Sequence, residues 1–91
     1  MRTKYKQWAV DYVDEHPEMC IQKVNLDDKF FTEKKVIFEV GSGKGDFIAA
    51  MSLNHPDYNF LAIERVKTVA GMMAKKLVDQ GNDNVKVFPW N

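Results

Sequence analysis

The chain has 91 residues and a mass of 10.5 kDa, with 45% hydrophobic and 12% aromatic residues, enough for one modest core and therefore at most one domain. Thirteen Lys and Arg are balanced by thirteen Asp and Glu. This excludes the low-hydrophobicity, high-charge signature of disorder and any whole-molecule attraction to nucleic acid or an anionic membrane, so such a partner must be met by a local patch. A single cysteine, Cys20, excludes an internal disulfide and a CxxC metal or redox site, and fits a reducing cytoplasm. No apolar run nears the roughly 20 residues of a membrane span, and no apolar stretch follows Met1-Arg2-Thr3-Lys4-Tyr5; a soluble, untargeted, cytoplasmic protein without a membrane partner is expected.

The N-terminus carries Arg2, Lys4 and Lys6 without an acid, and residues 11 to 18 then carry Asp11, Asp14, Glu15 and Glu18 without Lys or Arg. Tyr5, Trp8 and Tyr12 recur at helical spacing, which predicts a short helix ending before Pro17. Residues 18 to 35 hold no period and read as an irregular connector. Val36-Ile37-Phe38-Glu39-Val40, stopped by Gly41, predicts a strand covered on both faces. Phe47, Ala50 and Met51, flanked by Ile48 and Leu53, predict a helix up to Asn54-His55-Pro56. Asn59-Phe60-Leu61-Ala62-Ile63 is a second buried strand, ending at Glu64. Val66, Val69, Ala70, Met73, Ala74 and Leu77 then mark the inner face of a helix that Gly81 is placed to cap, and Val85-Lys86-Val87-Phe88 is a third strand. Strand, helix, strand, helix, strand is the βαβαβ half of a doubly wound parallel sheet, an incomplete Rossmann-like α/β fold. The expected division is a basic N-terminal helix and connector over residues 1–35 and a cofactor-binding half-domain over residues 36–91.

Glu39-Val40-Gly41-Ser42-Gly43-Lys44-Gly45 falls where the first strand turns into the first helix. Glycines there permit positive φ and close approach of a ligand to the backbone, and the helix behind offers unpaired N–H groups. The loop is not a Walker A motif, because Lys44 is followed by Gly45. Nor is it GxGxxG, because position 46 is Asp46. The spacing ExGxGxG is that associated with S-adenosylmethionine-dependent methyltransferases. Glu64 closes the second strand 19 residues after Gly45. There an acid can accept hydrogen bonds from both hydroxyls of a ribose in either cofactor, or pair with Arg65 or cap the next helix. Glu39 is an acid inside an apolar strand, which requires partners: the loop amides, the ammonium group of a cofactor, or solvent at a sheet edge.

With these residues in view, the segment from Val36 to Asn91 resembles the N-terminal part of bacterial tRNA (guanine-N7)-methyltransferases. It shares Glu39 to Gly45, Phe47-Ile48, Pro56-Asp57, Ala62-Ile63-Glu64 and Asn84-Val85-Lys86 with them, and Trp8-Ala9 in a basic N-terminus is similar as well. The resemblance implies a Rossmann-like methyltransferase fold, S-adenosyl-L-methionine as cofactor, and methyl transfer to N7 of a variable-loop guanine in tRNA. It implies a cofactor-binding set of Glu39, Gly41, Ser42, Gly43, Gly45, Glu64, Arg65 and Asn91, where Asn91 stands in place of the usual acid near the adenine. Family members are longer, so the chain resembles a front half. The Asp-Pro-Trp motif and the target-base residues then lie beyond Asn91, Phe88-Pro89-Trp90-Asn91 is not that motif, and the 91 residues alone are expected to be inactive.

Arg2, Lys4, Lys6, Tyr5 and Trp8 combine cations with aromatic faces, the mix that holds RNA backbone and stacks on exposed bases; a frayed terminus is the alternative. His16 and His55 have no ligand partner at helical spacing, so no metal site and no catalytic side chain are assigned. The open alternatives are a methyltransferase for another substrate, a dinucleotide-binding module of an oxidoreductase, and a cofactor-binding fragment without catalysis. The first strand, left with one edge unpaired, predicts self-association.

Overall fold

Three apolar segments pair as a parallel sheet in the order first, second, third, and the computed structural model describes residues 4–41 and 45–90 of the chain that carries them. In chain order the elements are α1 (Gln7–Glu15), α2 (Lys29–Thr32), β1 (Lys35–Val40), α3 (Asp46–Asn54), β2 (Tyr58–Glu64), α4 (Lys67–Gln80) and β3 (Val85–Pro89). Parallel neighbours require crossovers, which α3 and α4 supply. The register sets Val40 opposite Ile63 and Ala62 opposite Val87, so the expected Rossmann-like βαβαβ order is present. Phe60, Ala62, Val85 and Val87 form one sheet face, packed on Ile48 and Ala49 of α3, Ala70, Met73, Ala74 and Leu77 of α4, and Val13, Met19 and Cys20 from the N-terminal segment.

Four expectations need correction. β1 is not covered on both faces: Ile37 packs on the core, but β1 is a sheet edge where Phe38 is 50% and Val40 74% exposed. An apolar run sets strand propensity and cannot report whether a neighbour covers each side. In α3 the buried residues are Ile48, Ala49 and Ser52, whereas Phe47, Ala50 and Leu53 are exposed. From Phe47 to Leu53 every residue of that helix but Ser52 is apolar, so its period does not choose a face. Asn82 chooses it, donating from Nδ2 to the Ala49 carbonyl at 3.2 Å and to Ser52 Oγ. Val66 is not on the inner face of α4 but is its exposed N-cap. Finally, the connector is not wholly irregular. Asp28 caps the one-turn α2 by accepting from the Phe30 N–H at 2.9 Å, and Met19 to Ile21 add a bridge to β3, with Val87 N–H donating to the Met19 carbonyl at 2.8 Å and Ile21 N–H to the Val87 carbonyl at 2.9 Å. The β3 side of the sheet is thus partly sealed, while β1 pairs only with β2 among the described residues.

The N-terminal helix approaches α4 most closely at one glycine. Gly71, inside α4, lies against Ala9, where an added Cβ would meet the Ala9 carbonyl oxygen at 1.9 Å. A helical glycine normally costs about 0.5–1 kcal/mol against alanine; here it lets two backbones touch. Gly71→Ala therefore must part α1 from α4, and overpacking of about 1–3 kcal/mol outweighs the gain in propensity. Urea unfolding is expected to show a destabilised variant, and equal or higher stability would contradict this packing.

Candidate cofactor site

Because all three strands run the same way, their carboxyl ends and the starts of α3 and α4 gather at one edge. Gly41 follows β1 with φ 69°, and its N–H extends the ladder to the Ile63 carbonyl at 2.8 Å. Among the described residues no atom lies within 4 Å of where its Cβ would be, so its glycine is required by the left-handed backbone. Gly45 begins α3 with φ 82°, and there a Cβ would meet Met73 Cγ at 2.5 Å. This glycine serves the packing of the loop onto α4 as well as the turn. Ser42, Gly43 and Lys44, between the two, lie outside the described residues, as do Asn91 and Arg2.

Glu64 is 8% exposed at the end of β2. Its Oε2 accepts the Val66 N–H at 3.0 Å, and its carbonyl accepts the Trp90 N–H at 3.0 Å, tying the ends of β2 and β3 together. The carboxylate therefore braces the start of α4, where a negative charge is favoured. Bracing does not exhaust it, because an ionised carboxylate offers about four acceptor sites. Glu39 is half-buried on the same sheet face, two register positions before Gly41 and Glu64, so two acids stand on neighbouring strands near this edge. Arg65 is exposed and lines a cleft of about 200 Å³ with Val13, Asp14, Gln22, Lys67 and Pro89, on the α1 side of the edge.

Asp46, the first residue of α3, forms an ion pair with Lys76 of α4. It places an acid, already engaged by Lys76, where a dinucleotide pyrophosphate would meet the helix. Reading Asp46 as a break in GxGxxG identified the position; the partner Lys76, 30 residues on, carried no signal in the sequence.

Comparisons with known proteins identify the family. Residues 33–91 match the model of a family described as "Putative methyltransferase". The chain belongs to that family. Curated relatives include proteins named tRNA (guanine-N(7)-)-methyltransferase from Lactobacillus delbrueckii subsp. bulgaricus, 43% identical over 94 residues, from an Exiguobacterium species, 40% identical over 95 residues, and from Staphylococcus saprophyticus, 34% identical over 92 residues. Each alignment covers 97% of this chain and 43% to 44% of the relative, so the chain spans less than half the length of these family members.

Cys20 is buried beside β3, and burial, reinforced by the charges of Glu18 and Asp14, pushes its thiol from 9.0 to about 12. The folded thiol keeps its proton where the unfolded one has lost it, so this group's contribution to stability is complete below pH 9 and is lost as the pH rises through that window toward 12. Alkylation at pH 8.5 is expected to be negligible in buffer and rapid in denaturant. Fast labelling of the folded chain would contradict the burial.

Proposed function

We propose that the chain is the cofactor-binding front portion of an S-adenosylmethionine-dependent tRNA (guanine-N7)-methyltransferase acting on a variable-loop guanine in the cytoplasm. The observation that carries the reading is the pairing of a glycine turn with acids at one edge: Gly41 and Gly45 shape the loop, Glu39 and Glu64 stand beside it, and Asp46 disfavours a pyrophosphate. The names of the relatives support the substrate. In this reading Glu39 lies toward the ammonium end of the cofactor, Glu64 accepts from the ribose hydroxyls, and Ser42, Gly43, Arg65 and Asn91 complete the contacts. When bound, the cofactor supplies an electrophilic methyl group on a sulfonium. Guanine N7 bears a lone pair and no proton, so the chain need not provide a general base; its residues bind and orient, and alignment supplies much of the acceleration. Residues 1–91 alone then bind cofactor without transferring methyl.

Calorimetry on the full-length protein tests this. S-adenosylmethionine or its demethylated product should bind more tightly than NAD, and Glu64→Ala should weaken that binding by about 1.5–3 kcal/mol through loss of a charged acceptor. Equal or preferential binding of NAD would overturn the reading. A dinucleotide module is the second reading, and Asp46 is the residue that speaks against it.

The open edge of β1 supports a further part of the proposal, self-association of the isolated 91-residue chain. Gly41 donates toward β2, so the alternation of a strand turns the N–H and C=O groups of Val36, Phe38 and Val40 outward. Edges of this kind recruit another strand. Sedimentation should show mass rising with concentration, together with growing exchange protection at those three amides. A monomer at every concentration would contradict it.

A further inference from the structure

We infer that Lys4, Lys6 and Trp8 form a second grip on the RNA substrate, set at the same edge of the sheet as the cofactor loop; the inference rests on the function proposed above. The sequence left this segment open between an RNA contact and a frayed end, and two contacts place it. Lys6 N–H donates to Thr68 Oγ1 at 3.4 Å, in the first turn of α4, and the Ala9 carbonyl lies on Gly71 one turn later. These contacts set the start of α1 beside the start of α4, at the carboxyl edge where Gly41, Glu64 and the first residues of α3 gather.

Charge is sorted along the sequence of α1. Residues 4 to 10 hold Lys4 and Lys6 and no acid, whereas Asp11, Asp14 and Glu15 follow in the later turns. Asp14 is taken up by Lys67 Nζ at 3.1 Å. Arg65, exposed at the end of β2, adds a third cation to the rim. Lys6 is held through its backbone, which leaves its ammonium for a phosphate. Trp8 is 47% exposed and meets Tyr12 only edge to face, with ring centres 6.5 Å apart. An indole braced on one edge and open to solvent is a stacking platform for an unpaired base, and cations flanking it suit the backbone of the same strand. In a protein with no net charge, this sorting is what would attract RNA to one end.

The test is binding of an unmodified tRNA transcript to the full-length protein, followed by fluorescence anisotropy across a salt series. Joint Lys4→Gln and Lys6→Gln substitution should weaken binding by about tenfold at low salt and flatten the dependence of log affinity on log salt by roughly 1.5, because two phosphate contacts are lost. Joint substitution to arginine should retain both. Trp8→Ala should weaken binding by about fivefold or more with the salt slope unchanged. Cofactor affinity, measured by calorimetry on the same preparations, should be unaltered throughout, which shows that the variants are folded. Unchanged tRNA affinity and slope in the glutamine variant, with cofactor bound normally, would overturn this inference alone. A wild-type protein that binds cofactor but no tRNA would overturn it together with the proposed substrate.

Discussion

Parallel pairing of three strands is the constraint from which the rest follows. Two parallel neighbours cannot be joined by a tight turn, so each crossover must lift a helix onto the sheet and bring the chain back to the same starting edge. In consequence Gly41, Glu64 and Trp90 end their strands side by side, and Asp46 and Lys67 begin their helices there. A ligand at this edge meets loop backbone and two helix starts without any further arrangement, as expected where open α/β sheets bind their ligands.

What the edge accepts is decided by charge. A helix start is ordinarily hospitable to phosphate, and this chain spends that property on its own acids: Asp46 at α3, and Glu64 bracing the Val66 N–H before α4. With Glu39 on the neighbouring strand, three acids stand near this edge, Asp46 among them paired with Lys76. Lys4 and Lys6 stand at the start of α1, and Arg65 follows β2.

The order of strands and helices was legible because it rests on short-range signals: β-branched runs, glycines after the first strand, and a regular inner face for α4 that begins at Val69. Gly81 caps that helix in the left-handed region as its position implied, with φ 71°. What remained hidden depended on contacts distant in sequence. The buried face of α3 is chosen by Asn82, the attachment of α1 by Gly71, and the sealing of the β3 edge by Met19 and Ile21. Gly71 was the one visible clue, a glycine inside an otherwise good helix, which has a packing reason more often than not. At the site, Gly41, Gly45 and Glu64 could be named from spacing alone, and capping of the next helix, which Glu64 performs through the Val66 N–H, was among its open readings, whereas the pairing of Asp46 with Lys76 needed coordinates. Arg65 was named as a neighbour of Glu64, and the structure places it on a cleft toward α1.

The central claim is that a nucleoside cofactor sits between the Gly41 turn and Glu64, and amide chemical shifts report on that place directly. Titrating the 15N-labelled protein with S-adenosylhomocysteine should move the amides of Gly41, Gly45, Glu64 and Val66 together, with the Val66 N–H responding because its acceptor is Glu64 Oε2. Shifts confined to Gln22, Arg65 and Lys67, around the cleft on the α1 side, with Gly41 and Val66 unmoved at saturation, would contradict it.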